Sequence, residues 1–294
     1  MRVFVTGATG FVGIPVVKDL IAAGHDVLGL ARSDDGARAL RALGAAVQRG
    51  TLQDLDGLRA GASAADGVLH LAFVHDWANF AESCEIDRRA IEALGSALTG
   101  TGKPLIVTSG TGGVAGAGRV ATEDDDVPPD YALPRRSEQV ALGLAGVRAA
   151  VVRLPQVHDT VKQGLITHVV KIARETGVSA YVGDGATRWS AAHVSDVARL
   201  YRLALERHEA GAKYHAVAEE GVPMRDIAEA IGRSLNVPVR SLPAEEAAAH
   251  FGWLSMFSGL NLMASSEKTR ERLGWSPTGP SLIADLERLE APAA

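Results

Sequence analysis

Glycines at 7, 10 and 13 stand three apart, after the apolar run Val3-Phe4-Val5 and before the periodic apolar positions Val12, Val16, Val17, Leu20 and Ile21. Buried strand, glycine turn and helix, in that order, are the parts that grip a pyrophosphate. Gly7 permits the tight turn and Gly10 lets backbone approach the phosphates. Gly13 lets the helix lie close on the strand, its positive end toward the anion. A glycine-rich turn without a ligand is the plainer alternative, and the flanking strand and helix weigh against it. An enzyme using NAD commonly places an acidic residue about 20 residues past such glycines, on the ribose 2′-hydroxyl. Here the second strand ends in Ala31-Arg32-Ser33. A guanidinium suits a 2′-phosphate, so NADP is expected, with NAD left open because Asp34 or Asp35 could reach the ribose.

Other candidates fall at strand ends. The run Pro104–Thr108 closes in Ser109-Gly110-Thr111, hydroxyls well placed for a cofactor's reactive ring, although turns use the same residues. Gly67–Ala72 reads as the fourth strand, with His70 and Ala72 at its carboxyl end, where open α/β sheets bind ligands. A lone histidine there is as readily structural as functional. The acidic run Glu123–Asp126 reads as a solvated loop.

These positions need a scaffold, and its pattern is regular. Strands near 3–6, 25–30, 46–48, 67–72, 104–108 and 149–153 alternate with helical patterns at 34–43, 53–60, 77–98 and 135–145. That alternation predicts an α/β fold, a doubly wound parallel sheet of the Rossmann type with helices on both faces. Pro134 is expected to start the helix after the Asp- and Pro-rich loop. Past Leu154-Pro155 the alternation fails; helices near 162–175, 194–207, 223–235, 243–251 and 280–290, with short strands near 178–182 and 213–217, predict a smaller helix-rich lobe. The expected division is 1–155 for the dinucleotide domain and 156–294 for the substrate lobe, with crossings back to the sheet allowed. Phe251–Phe257 could line a pocket or an oligomer face, and core is the preferred reading.

Composition narrows the partners. With 294 residues, 47% hydrophobic and 22% charged, the chain has ample material for a core. A net charge of −5 without a basic block argues against nucleic acid. No apolar run reaches spanning length and the first strand begins almost at Met1, so neither membrane nor cleavable signal is expected. The single cysteine, Cys84, excludes an internal disulfide framework and agrees with a reducing, cytoplasmic setting. A small-molecule substrate is the expected partner, and a homodimer is left open.

Together the motifs TGATGFVG (6–13), VLHLA (68–72), TSGTGGVAG (108–116), RLPQVH (153–158), HVSDVARLYRLALE (193–206) and TRERLGWSP (269–277) resemble the extended short-chain dehydrogenase/reductases, also called the NAD-dependent epimerase/dehydratase family. The resemblance covers nearly the whole chain and implies a set of roles. Thr6, Gly7, Thr9, Gly10, Phe11, Val12, Gly13, Arg32, Ser33, Leu71, Ala72, Thr108, Arg135, Pro155 and Val157 would hold the dinucleotide. Thr111, with Ser109 beside it, would polarise the reacting oxygen. The family's Tyr and the Lys four residues on map onto Tyr131 and Arg135, or onto Asp130 and Pro134 if Glu138 is the anchor. Tyr131 is thus the candidate acid/base, with His158 as rival proton carrier because an imidazole titrates near neutrality. No metal is implied.

The leading expectation is an NADP-dependent oxidoreductase, atypical in its Tyr-x-x-x-Arg, working at a carbonyl or alcohol carbon. A nucleotide-sugar epimerase or dehydratase would need cations in the small lobe, for which Arg188, Arg240 and Arg270 are candidates. A dinucleotide sensor or scaffold with a lapsed catalytic pair is the alternative from another class.

Overall fold

The computed structural model describes residues 1–115, 118–128 and 134–290. The first half alternates β1 (Arg2–Thr6), α1 (Gly13–Ala22), β2 (Asp26–Ala31), α2 (Asp34–Ala42), β3 (Ala46–Arg49), α3 (Leu55–Ser63), β4 (Gly67–His70), α4 (Phe80–Leu98), β5 (Pro104–Gly110), α5 (Ser137–Leu142) and β6 (Arg148–Leu154). The second half runs β7 (Gln156–His158), α6 (Ile166–Thr176), β8 (Ser179–Val182), β9 (Arg188–His193), α7 (Val194–Glu206), β10 (Lys213–His215), β11 (Glu219–Pro223), α8 (Met224–Leu235) and β12 (Val239–Leu242). It closes on short helices α9 (Ala247–Phe251), α10 (Ser255–Ser258), α11 (Glu267–Leu273) and α12 (Leu282–Leu286).

The main sheet has seven parallel strands in the order β10-β6-β5-β4-β1-β2-β3. Its strands are buried on both faces, which is why they read as continuous apolar runs. The two-residue period divides them. Val3, Val5, Leu69, Ile106 and Val152 pack under α1, α2 and α7, while Phe4, Val68, Leu105, Val107 and Val151 pack under α3, α4 and α5. Strand order reverses between β1 and β4, and the crevice at their carboxyl ends is where such sheets bind ligands.

Several expectations need correction. α5 begins at Ser137, with Arg136 at its cap, so Pro134 does not occupy its first turn. β4 ends at His70, before Leu71 and Ala72. The second lobe holds more strand than expected: β11-β9-β7 form a three-stranded sheet, and β12 pairs in parallel with β8, which falls at the expected 178–182. The chain does cross back to the first half, as the expected division allowed: β10 joins the main sheet beside β6, and α7 packs with α1 in the same apolar cluster. The acidic run is not simply solvated. Glu123 is buried and accepts from the amide and hydroxyl of Thr269, Asp124 pairs with Lys268, Asp125 with Arg119, and Asp126 with Lys213. The 251–257 stretch divides: Phe251 and Leu254 are core, Trp253 and Met256 exposed. Among the described residues, no helix is long and apolar enough to cross a membrane.

Candidate functional site

The glycine turn has the geometry its spacing requires. Gly7 has φ +70°, and a Cβ there would lie 2.7 Å from the Ala72 amide nitrogen. A Cβ on Gly13 would lie 2.0 Å from the Gly7 carbonyl oxygen, so the helix could not come so close. A Cβ on Gly10 would meet only that oxygen, at 3.2 Å, and otherwise fill open space at the crevice. α1 carries no side-chain cap at Val12; the Ile14 amide goes to the Gly10 carbonyl and Pro15 has none, so the Gly13 amide is the one its first turn leaves for an anion. A cradle that a methyl group would fill, at a bare helix start, fits a dinucleotide pyrophosphate. Thr9 is exposed beside it, and Phe11 lies 5.9 Å beneath the Lys162 ammonium.

At the far end, Ser33 caps α2 by accepting from the Gly36 amide at 3.1 Å. Arg32 is exposed, and its guanidinium has no partner among the described residues. Asp34 and Asp35, the alternative ribose acceptors, are engaged: Asp34 with Arg49 at 3.2 Å and Asp35 with Arg38. Arg49 also donates to the Arg32 carbonyl at 3.0 Å. No motif marks Arg49; its signal is its place at the end of β3, which pairs with β2.

Beneath the turn runs a buried polar chain. The Thr6 hydroxyl is hydrogen-bonded to His70 Nδ1 at 2.7 Å and accepts from the Ala72 amide at 3.4 Å. His70 Nε2 donates to Asp87 at 3.2 Å, the Ser137 hydroxyl donates to the other Asp87 oxygen at 2.5 Å, and Arg135 Nε donates to Ser137 at 2.9 Å. Arg135 Nη2 reaches the Thr108 carbonyl at 3.1 Å. Burial pushes the Asp87 carboxyl up, but the His70 hydrogen bond and charge, with Arg135 and Ser137, outweigh it and hold it below the usual range. His70 is therefore a structural link between β1 and α4. Thr6, expected at the cofactor, spends its hydroxyl on that link and acts by shaping the turn. Asp87 and Ser137 were missed; each lies far along the chain from its partners, and nothing local marks them.

Arg135, although outside any helix, stands at the carboxyl end of β5 with its guanidinium 4.2 Å over the Phe73 ring. The Thr108 hydroxyl donates to the His70 carbonyl at 2.8 Å and meets the Tyr201 hydroxyl at 2.7 Å, so it faces α7. Burial pushes the Tyr201 phenol far up, which keeps it neutral. Ser109 is half-buried, paired with Arg153 in the β5–β6 ladder, and its hydroxyl has no hydrogen bond among the described residues. Thr111 is buried, its hydroxyl held only loosely, 3.4 Å from both the Leu154 carbonyl and Ser190 Oγ. Leu71 and Ala72 line the opposite wall, half-buried; Pro155 sits between β6 and β7, and Val157 is buried in β7.

His158 is fully buried. Its Nδ1 lies 2.7 Å from Asp285, and its ring stands edge-on to His193 at 5.7 Å. Burial pushes the imidazole down, against Asp285. The Asp285 hydrogen bond ties α12 to β7. Tyr131 lies outside the described residues. Among the described residues, no group of three or more His, Cys, Asp or Glu side chains could hold a metal ion.

Fold and cradle define a dinucleotide-binding protein of the doubly wound class. The model of the NAD dependent epimerase/dehydratase family matches residues 3–218, and the chain belongs to that family. It is 46% identical over 289 residues to an uncharacterized protein of Schizosaccharomyces pombe, covering 97% of this chain and 98% of that one. At 27% identity it resembles a UDP-glucose 4-epimerase of Streptomyces lividans, covering 96% of this chain and 93% of that one. A 4-hydroxy-2-methyl-3-oxo-4-farnesyl-3,4-dihydroquinoline-1-oxide ketoreductase of Stigmatella aurantiaca is also 27% identical, over 86% and 80%. A dTDP-glucose 4,6-dehydratase from Streptomyces venezuelae, solved with NAD and TYD bound, superposes with a TM-score of 0.78 at 22% identity, covering 98% of this chain and 95% of that one.

Proposed function

We propose that the chain is an NADP-dependent oxidoreductase that moves hydride at a carbonyl or alcohol carbon of a small molecule. One observation carries the cofactor choice: Arg32 stands unpartnered among the described residues at the end of β2, while Asp34 and Asp35 are held by other arginines. A free guanidinium there favours a 2′-phosphate, and the two exposed carboxylates beside it each already have an arginine partner. Bound in the cradle, NADPH supplies the hydride. Thr111, with Ser109 beside it, polarises the substrate oxygen. By resemblance Tyr131 is the proton donor and Arg135 takes the place of the family's lysine; a guanidinium beside that phenol would lower its pKa and make it the readier acid.

Incubating the purified protein with NADPH, NADH and a panel of aldehydes and ketones tests this reading. NADPH oxidation above the NADH rate is expected; no turnover across the panel overturns it. The Streptomyces lividans relative favours a second reading, a nucleotide-sugar epimerase. Against it, Arg188 and Arg270 donate to backbone carbonyls, of Gly221 and of Val217 and Ala218, and Arg240 lies on β12 facing solvent. A cofactor retained through gel filtration would support that second reading.

A further inference from the structure

Arg135 stands in the segment between β5 and α5, outside any helix, so no helical turn aims its side chain. Three contacts aim it instead. Nε donates to the Ser137 hydroxyl at 2.9 Å, Nη2 donates to the Thr108 carbonyl at 3.1 Å, and the guanidinium face lies 4.2 Å over the Phe73 ring. Two edges and one face fix a planar group in both place and tilt. An ammonium has one nitrogen and no face to offer such a seat.

The seat is itself held from beneath. A guanidinium only donates, so the Ser137 hydroxyl accepts from Arg135 and must give its own proton elsewhere. Asp87 takes that proton's hydrogen bond at 2.5 Å, and its other oxygen accepts from His70 Nε2 at 3.2 Å. His70 Nδ1 then accepts from the Thr6 hydroxyl, at the end of β1. Ser137, Asp87 and His70 are all buried, so each bond acts in a low dielectric. No link in the chain can reverse without leaving a buried donor or acceptor unmatched.

We propose that Ser137 and Asp87 are positioning residues that fix the Arg135 guanidinium at the carboxyl end of β5, and that Ser137 makes arginine, not lysine, the cation this site accepts. Their role in catalysis rests on the oxidoreductase reading, in which Arg135 acts on the proton donor. Side-chain contacts here do the work that a shared helix face would do for two residues four apart. Without the Ser137 hydroxyl, Nε has no acceptor and the guanidinium is left to turn on one carbonyl and one ring.

In the isotope-labelled full chain, magnetic resonance reads solvent exchange of the Arg135 Nε–H, assigned by its absence in Arg135→Lys. It is expected to exchange at least about tenfold more slowly than that of the exposed Arg32, and to lose this protection in Ser137→Ala. Asp87→Asn, whose amide must turn an N–H toward one of its two donors, should lose part of it. Protection absent from the wild type, or untouched by either substitution, overturns the seat. With NADPH and the fastest substrate of the aldehyde and ketone panel, Ser137→Ala and Arg135→Lys should each lower kcat about tenfold or more. The two together should cost no more than about twofold beyond either alone. The alkaline limb of kcat should move up by about half a pH unit in Ser137→Ala, because a loosened cation lowers the donor's pKa less. Ser137→Thr keeps the hydroxyl and should restore most of the rate. A loss of stability alone, with kcat and its alkaline limb at wild-type values, overturns the positioning role. So does wild-type kcat in Arg135→Lys, which leaves Asp87 paired and decides the matter even if Ser137→Ala fails to fold. A wild type that reduces no carbonyl overturns the oxidoreductase reading and not the seat, which the exchange measurement decides by itself.

Discussion

His215 Nε2 accepts a hydrogen bond from the Arg153 guanidinium at 3.1 Å, while Nδ1 donates to the Ser265 carbonyl at 2.7 Å. A guanidinium only donates and a carbonyl only accepts, so the ring fits with one proton and not with two. Burial is the main reason that its pKa falls to about 4; the Arg153 charge adds to the effect, and Glu123 and Glu138 oppose it.

Stability is expected to fall below neutrality for that reason. Between the ordinary histidine value and about 4, the unfolded chain binds a proton at His215 that the folded chain refuses. The contribution is whole above the unfolded value, shrinks as pH drops toward the folded one, and amounts to at most about 3 kcal/mol. His208, also lowered to about 4 by burial, acts over the same window. Urea unfolding at pH 7 and pH 4.5 measures the slope. His215→Gln can make both hydrogen bonds without titrating, and should flatten it; an unchanged slope refutes the assignment.

Arg153 is fully buried, and Glu138 accepts from it at 2.8 and 2.5 Å. Arg153→Met strands a buried carboxylate and should cost about 3–5 kcal/mol. Arg153→Met with Glu138→Leu removes both charges and should cost less than the two single changes added together. Equilibrium denaturation of all four proteins checks the cycle, and simple additivity would mean the pair is uncoupled.

The three glycines should not be equivalent. Gly13→Val drives a side chain into the Gly7 carbonyl and is expected to lower the melting temperature or prevent folding. Gly10→Val meets one oxygen and otherwise open space, so it should fold with a near-native melting temperature. Its NADPH affinity should fall at least about a hundredfold, by loss of close backbone approach. Calorimetry with both variants decides; a Gly10→Val protein that binds NADPH normally would remove the pyrophosphate from this turn.

Arg32→Ala should weaken NADPH binding about 10- to 100-fold, the range of one lost charge-assisted hydrogen bond, and leave NADH unchanged. Arg49→Ala should have a smaller effect, because Arg49 already spends its charge on Asp34. Equilibrium binding of the two cofactors to each variant provides the comparison.

What was legible in the sequence was local. The turn from Gly7 to Gly13 declares itself because strand, turn and helix are contiguous, and the central strands do so because both faces are buried. The start of α5 was misread because proline's tolerance in a first turn is only permission. Here Arg135 uses its side chain on Ser137 and Thr108 instead of opening a helix. β9 was overlooked because Arg188–His193 carries small residues around a single Trp189, and its partners β7 and β11 are brought to it only by the fold. The His70–Asp87–Ser137 chain joins residues 17 and 50 positions apart, which no window of sequence contains.

Strand β10 and helix α7 come after the second lobe has begun, yet they complete the first. A hybrid gene spliced at Pro155 would therefore bring a relative's edge strand against this chain's β6, and a relative's helix against Val16, Val17 and Leu20 of α1. Recombination between relatives should succeed only when the stretch 194–217 is inherited with the amino-terminal half. Exchanges of substrate preference within this lineage are then expected to proceed by replacing loops and the later helices, and not by trading lobes whole.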